Sequence, residues 1–144
     1  MLHAIRILLV LLIAVILAAC GATTSTTTIS SAPPAAQSGT LTEISVADLK
    51  VKLDANESLF LVDVRTPAEF TQDGHVAQST LIPLDQLTSR LAELPTDTPI
   101  YCICRSGNRS TTACNDLRTR GYTAINVSGG MIAWKAAGLP VAMP

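Results

Sequence analysis

Pro99-Ile100-Tyr101-Cys102-Ile103-Cys104-Arg105-Ser106-Gly107-Asn108-Arg109-Ser110 is the stretch on which the reading of this chain turns. Ile100 to Ile103 is a short apolar run, the pattern of a buried strand. Ser110 to Arg120 opens with hydroxyl residues and stops before Gly121, which predicts a helix. Cys104 therefore stands where a strand runs out and a short polar loop leads into a helix. The backbone N–H groups of such a loop can converge on an anion, and a helix N-terminus adds positive partial charge. Arg105 and Arg109 add full charges. Each of these lowers the pKa of a thiol, and the thiolate is the nucleophilic form. Gly107 permits a turn that residues with a Cβ resist.

Outward from this stretch the chain alternates. Leu59 to Val64 is apolar except for Asp63 and predicts a buried strand. Leu81 to Leu84 predicts a short strand ended by Pro83, and Ala124 to Val127 the last one. Helices are predicted between them. Val46 to Leu53 follows Ser45, a plausible N-cap. Asp85 to Leu94 carries Leu87, Leu91 and Leu94 at the spacing of one helix face. Met131 to Ala137 stops at Gly138-Leu139-Pro140. Strands alternating with helices define an α/β domain with a mainly parallel sheet. Ligands of such sheets bind beyond the carboxyl ends of the strands, where Cys104 is expected.

Separated motifs then point one way. Asp63-Val64-Arg65-Thr66-Pro67-Ala68-Glu69-Phe70 resembles the first signature of the rhodanese family, and Gly74-His75-Val76 with Ile82-Pro83 its continuation. Cys104 to Arg109 resembles its active-site loop. Gly121-Tyr122, Gly129-Gly130-Met131-Ile132-Ala133-Trp134 and Gly138-Leu139-Pro140-Val141 resemble its C-terminal signature. The resemblance spans about residues 41 to 142. Gln78, Ser79 and Leu81 depart from it, standing where the family usually has Gly, Ala and Asn.

The resemblance implies a rhodanese-like three-layer domain and sulfur transfer. A small anionic donor such as thiosulfate gives its outer sulfur to Cys104, and a thiol, a thiol protein or cyanide removes it. Cys104 is then the catalytic residue. Arg105, Ser106, Gly107, Asn108, Arg109 and Ser110 form the loop that holds the substrate and the persulfide, with Arg105 or Arg109 available to an anionic donor. A second reading, a slow persulfide- or partner-binding module, stays open beside the first. Four residues separate Cys104 from Arg109, one fewer than in the tyrosine phosphatases, so the loop suits sulfur better than a phosphoryl group.

Other residues take plainer roles. Cys102 and Cys114 are expected in the core, with a resolving-thiol role as the alternative. Asp63 is expected to pair with a nearby cation, His75 to be hydrogen-bonded in a turn, and Trp134 to fill the core. Neither a phosphate-binding nor a dinucleotide-binding glycine pattern is present, and no zinc spacing is seen. No metal and no cofactor is expected. No basic patch points to nucleic acid, and a monomer is expected.

The N-terminus reads separately. Ile7 to Ala19 is an unbroken apolar run of thirteen residues behind Arg6, short for a membrane span but right for a signal peptide. It ends Leu17-Ala18-Ala19-Cys20, which resembles a bacterial lipobox. Residues 1–19 are thus expected to be a lipoprotein signal peptide and Cys20 the lipid-bearing residue. Gly21 to Thr40 holds six Thr, four Ser, four Ala, two Pro and no charge. Such a segment buries too little apolar surface to order itself, so residues 20–40 are expected to be the attachment cysteine and a linker with a reach of about 25 Å. The domain is expected over residues 41–144, held outside the cytoplasm on a bacterial membrane.

Overall fold

In a computed structural model, residues 42–144 are described. The expected leader, Cys20 and linker lie outside the described residues. Five strands form one parallel sheet: β1 (Glu43–Ile44), β2 (Phe60–Asp63), β3 (Ser79–Leu81), β4 (Ile100–Ile103) and β5 (Ala124–Val127), in the spatial order β1-β5-β4-β2-β3. Four α-helices accompany them: α1 (Val46–Asp54), α2 (Pro67–Gln72), α3 (Asn108–Thr119) and α4 (Gly130–Ala136). The α/β class and its mainly parallel central sheet are as the alternation of patterns predicts.

Successive strand residues point to opposite sheet faces, and both faces are covered. Val62, Ile100, Cys102 and Ala124 face a layer made by α3 and the segment after β3, packing with Ala113, Cys114 and Leu117. Leu61, Tyr101, Ile103 and Val127 face α1 and α4, packing with Leu49, Leu53, Met131 and Trp134. A sheet buried on both sides explains why its strands read as continuous apolar runs.

Three elements differ most from expectation. The expected helix over Asp85–Leu94 is instead a 3₁₀ segment, Leu84–Glu93, kinked at Arg90 (φ −115°, ψ 20°). Pro83 opens it, and Leu87 and Leu94 still reach the core. Three-residue spacing fits a 3₁₀ turn as well as an α turn. The third strand runs over Ser79–Leu81 rather than Leu81–Leu84. Beyond it, Ile82 and Leu84 still donate to the Asp63 and Val64 carbonyls at 3.0 and 3.2 Å, and Pro83 between them has no N–H to offer. Helix α3 starts at Asn108 rather than Ser110, because Gly107 (φ +100°) makes the turn and caps it.

Two elements have no counterpart among the expected ones. Strand β1 is two residues long and pairs only with β5. Helix α2 begins with a capping box: Thr66 Oγ1 accepts from the Glu69 N–H at 3.2 Å, and Thr66 N–H donates to Glu69 Oε2 at 3.1 Å. Pro67 sits in its first turn, where a missing N–H costs nothing.

Candidate active site

The carboxyl ends of β2 and β4 lie side by side, with Asp63 paired to Ile103. Cys104 follows directly and turns its side chain toward the α3 face of the sheet. The chain then bends through Arg105, Ser106 and Gly107 into the first turn of α3. Asn108, Arg109 and Ser110 belong to that turn. The first N–H groups of a helix have no partner within it, and here the sulfur is one.

Cys104 Sγ accepts from the Gly107 N–H at 3.2 Å and lies 3.4 Å from Ser110 Oγ. Burial pushes this thiol up. The Ser110 hydroxyl and the N–H groups of Ser110, Ser106 and Gly107 pull it down, and the net result is below the ordinary thiol value. Helix α4 holds the outer side of the loop. Met131 N–H donates to the Cys104 carbonyl at 2.8 Å and Ile132 N–H to the Arg105 carbonyl at 3.0 Å. With those carbonyls turned to α4, the loop's N–H groups are free to face the sulfur. Gly130 is required for this approach. It has φ +53°, and a Cβ there would overlap the Cys104 carbonyl oxygen and the Arg105 backbone.

The two arginines differ. Arg109 is gripped by Glu69 of α2 through two parallel bonds, Nη1 to Oε2 at 2.8 Å and Nη2 to Oε1 at 2.6 Å. The Arg109 guanidinium holds the Glu69 carboxyl down at about 2. Arg109 is therefore committed to tying the start of α3 to α2. Arg105 is exposed, and its side chain has no hydrogen-bond or ion-pair partner among the described residues. Of the two cations expected to serve an anionic donor, Arg105 alone is unpaired. Beside Arg109, a cleft of about 330 Å³ opens between Val64, Pro83, Leu84 and Asp85.

The remaining residues fall as follows. Asp63 and Arg65 are buried and paired, Nε to Oδ1 at 2.9 Å and Nη2 to Oδ2 at 2.7 Å, while Arg65 Nη2 also holds the Gly74 carbonyl at 2.8 Å. His75 stacks on Phe70, and its Nδ1 lies 3.3 Å from the Phe70 carbonyl. Trp134 is buried, its Nε1–H donating to the Pro140 carbonyl at 2.9 Å. Cys102 and Cys114 are buried free thiols that pack in the same core cluster. The neighbouring Cys114 and burial push Cys102 well above the ordinary thiol value. Sequence reasoning passed over Glu69, although the Thr66-Pro67-Ala68-Glu69 spacing is itself a capping-box signal. It also missed Asn126, which accepts from Ser110 Oγ, and Glu43, which accepts from Asn126 Nδ2 and reaches it through the pairing of β1 with β5.

A parallel α/β domain with a thiol cradled by backbone N–H groups at a strand's carboxyl end belongs to the class of proteins that hold a cysteine poised as a thiolate. Residues 45–137 match the family model of the rhodanese-like domain, and the chain belongs to that family. A protein of Allochromatium vinosum named sulfurtransferase is 39% identical over 105 residues, covering 72% of this chain and 97% of its own. YtwF of Bacillus subtilis is 38% identical over 100 residues, covering 69% and 96%. Among solved structures, a rhodanese-like domain protein from Staphylococcus aureus superposes with a TM-score of 0.65 at 33% identity, covering 71% of this chain and 99% of its own.

Proposed function

We propose that this protein is a sulfurtransferase in which Cys104 is the nucleophile and sulfur carrier. The observation that carries this reading is the sulfur's position: it accepts from the Gly107 N–H at 3.2 Å, with the N–H groups of Ser106 and Ser110 also turned toward it. Two displacements make up the reaction. The Cys104 thiolate attacks the outer sulfur of a donor such as thiosulfate. The donor's S–S bond breaks, and sulfite leaves with its electron pair. Cys104 then carries an anionic persulfide. An acceptor thiolate or cyanide attacks the outer sulfur, and Cys104 departs as the thiolate. Both states of the cysteine are anions, so a cradle of N–H donors fixed by α3 and α4 serves each without reorganising. Arg105 supplies the free cation for an anionic donor.

Incubating the protein with thiosulfate and measuring intact mass tests this. The wild type is expected to gain one sulfur atom, and Cys104→Ser none. Equal gain by both, or none by the wild type, sinks the mechanism.

We further propose that the protein works outside the cytoplasm, anchored by lipid on Cys20. The apolar run before Ala18-Ala19-Cys20 and the uncharged segment after it support this. Each buried lipid CH₂ contributes roughly 0.8 kcal/mol to anchoring. Cys20→Ser is expected to move the protein out of the membrane fraction or to leave it unprocessed; unchanged size and location would refute the anchor.

A further inference from the structure

A chain of polar side chains runs across the sheet to the nucleophile. Glu43 of β1, Asn126 of β5 and Cys102 of β4 share one register row. Ser128 Oγ donates to Glu43 Oε2 at 2.8 Å, and Asn126 Nδ2 donates to Glu43 Oε1 at 2.9 Å. Ser110 Oγ donates to Asn126 Oδ1 at 2.6 Å, and it is this same hydroxyl that lies 3.4 Å from Cys104 Sγ. Asn126 and Ser110 are buried.

The orientation of this chain follows from its exposed end. An ionised carboxylate only accepts, so Nδ2 of Asn126 faces Glu43 and its Oδ1 faces Ser110. Ser110 has one proton and three acceptors within reach: Asn126 Oδ1 at 2.6 Å, the Gly107 carbonyl at 3.0 Å and Cys104 Sγ at 3.4 Å. The shortest of the three is the one Glu43 creates. Holding β1 in the sheet does not need that carboxylate. Asn126 N–H donates to the Thr42 carbonyl and Ser128 N–H to the Ile44 carbonyl, each at 2.9 Å.

We propose that Glu43 is a positioning residue for Cys104: by fixing the Asn126 amide it draws the Ser110 proton away from the sulfur. The proposal rests on Cys104 being the reacting residue. A thiolate that competes for the Ser110 proton is less stabilised than one that owns it. It is also a stronger nucleophile, since thiolate nucleophilicity falls as thiol pKa falls. Without the Glu43 carboxylate the amide can turn over. Nδ2 then donates to Ser110 Oγ, and the hydroxyl proton passes to Sγ.

The test is the pH dependence of iodoacetamide alkylation at Cys104 in the full chain, read by mass on its peptide. Glu43→Ala is expected to lower the midpoint by about half a pH unit, a roughly threefold shift in the thiol equilibrium. Ser110→Ala is expected to raise it, and the double variant to match Ser110→Ala alone. Glu43→Gln keeps an accepting oxygen for Nδ2 and is expected to stay at the wild-type midpoint. The charges around Cys104 (Arg105, Arg109 with Glu69, Arg65 with Asp63) are unaltered in all four. An unchanged or raised midpoint in Glu43→Ala, a Glu43 effect that persists without Ser110, or a Glu43→Gln shift equal to that of alanine would each overturn the proposal. Alkylation needs no sulfur donor, so a failure here is distinct from a failure to form the persulfide.

Discussion

At the scale of single residues, two arginines four positions apart have opposite fates. Arg109 spends its planar fork on Glu69, a geometry that only a guanidinium fills, while Arg105 keeps its charge facing solvent at the loop. Arg105→Ala is therefore expected to raise KM for thiosulfate about fivefold, the equivalent of roughly 1 kcal/mol for one exposed ion contact. Its kcat and melting temperature are expected to stay unchanged, as steady-state assays and thermal unfolding would show. If Tm fell and KM held, Arg105 would be structural and the donor would be bound without it. Nothing in the stretch Cys104-Arg105-Ser106-Gly107-Asn108-Arg109 separates the two cations. The difference arises because helix α2, from a segment forty residues earlier, brings Glu69 to one of them.

At the scale of elements, the site is a junction of α2, α3 and α4 around the end of β4. The Glu69–Arg109 pair is its outermost clamp, with both side chains partly exposed. Glu69→Gln is expected to cost about 1 kcal/mol after solvent screening, measured by urea unfolding near neutral pH. Acid tests the same clamp. The Glu69 carboxyl is held at about 2 in the fold against an ordinary 4.5. Its contribution is thus fully present above about pH 4.5 and is lost as pH falls from there toward 2. The stability difference between wild type and Glu69→Gln is expected to shrink over that range; a constant difference would show that the ion pair is not its source. The tightest junction is α4 against the loop. Gly130→Ala drives a Cβ into the Cys104 carbonyl at a positive φ. A loss of about 2 kcal/mol or more is expected, with slower persulfide formation, since the loop must move. Wild-type stability and rate in this variant would mean that α4 does not hold the loop.

At the scale of the whole molecule, the two-sided core sorts three cysteines by environment. Cys102 and Cys114 are sealed between the sheet and α3, with Cys102 held protonated by Cys114 and burial. Cys104 lies on the same face one pleat further on, where the sheet ends and N–H donors replace side-chain packing. Cysteine-resolved alkylation of the native protein is expected to label Cys104 first, and Cys102 and Cys114 only when the fold is opened by denaturant. Labelling of Cys102 or Cys114 at the rate of Cys104 in the native state would favour a resolving-thiol role for that residue. In this layered arrangement Cys102 and Cys114 are part of the core, and Cys104 stands at its edge.

Local pattern was enough for three strands and the start of the site, because apolar runs, a cysteine at a run's end and glycine turns are properties of neighbouring residues. Leu81 to Leu84 shows the limit. The run is apolar, but pairing with β2 ends the ladder at Leu81, and the chain continues as a 3₁₀ segment that the leucine spacing cannot tell from an α-helix. Two-residue β1 carries no periodicity at all. The amino-acid sequence by itself determined the α/β class, the parallel sheet and the place of Cys104 at a strand's end, since burial period and backbone freedom are written in short windows. The tertiary structure alone decided which arginine is free, what orients Ser110 and which thiols are sealed. Those depend on Glu69 for the arginines, Asn126 for Ser110 and the cover of α3 for the thiols, parts distant along the chain that meet only when helices and strands pack.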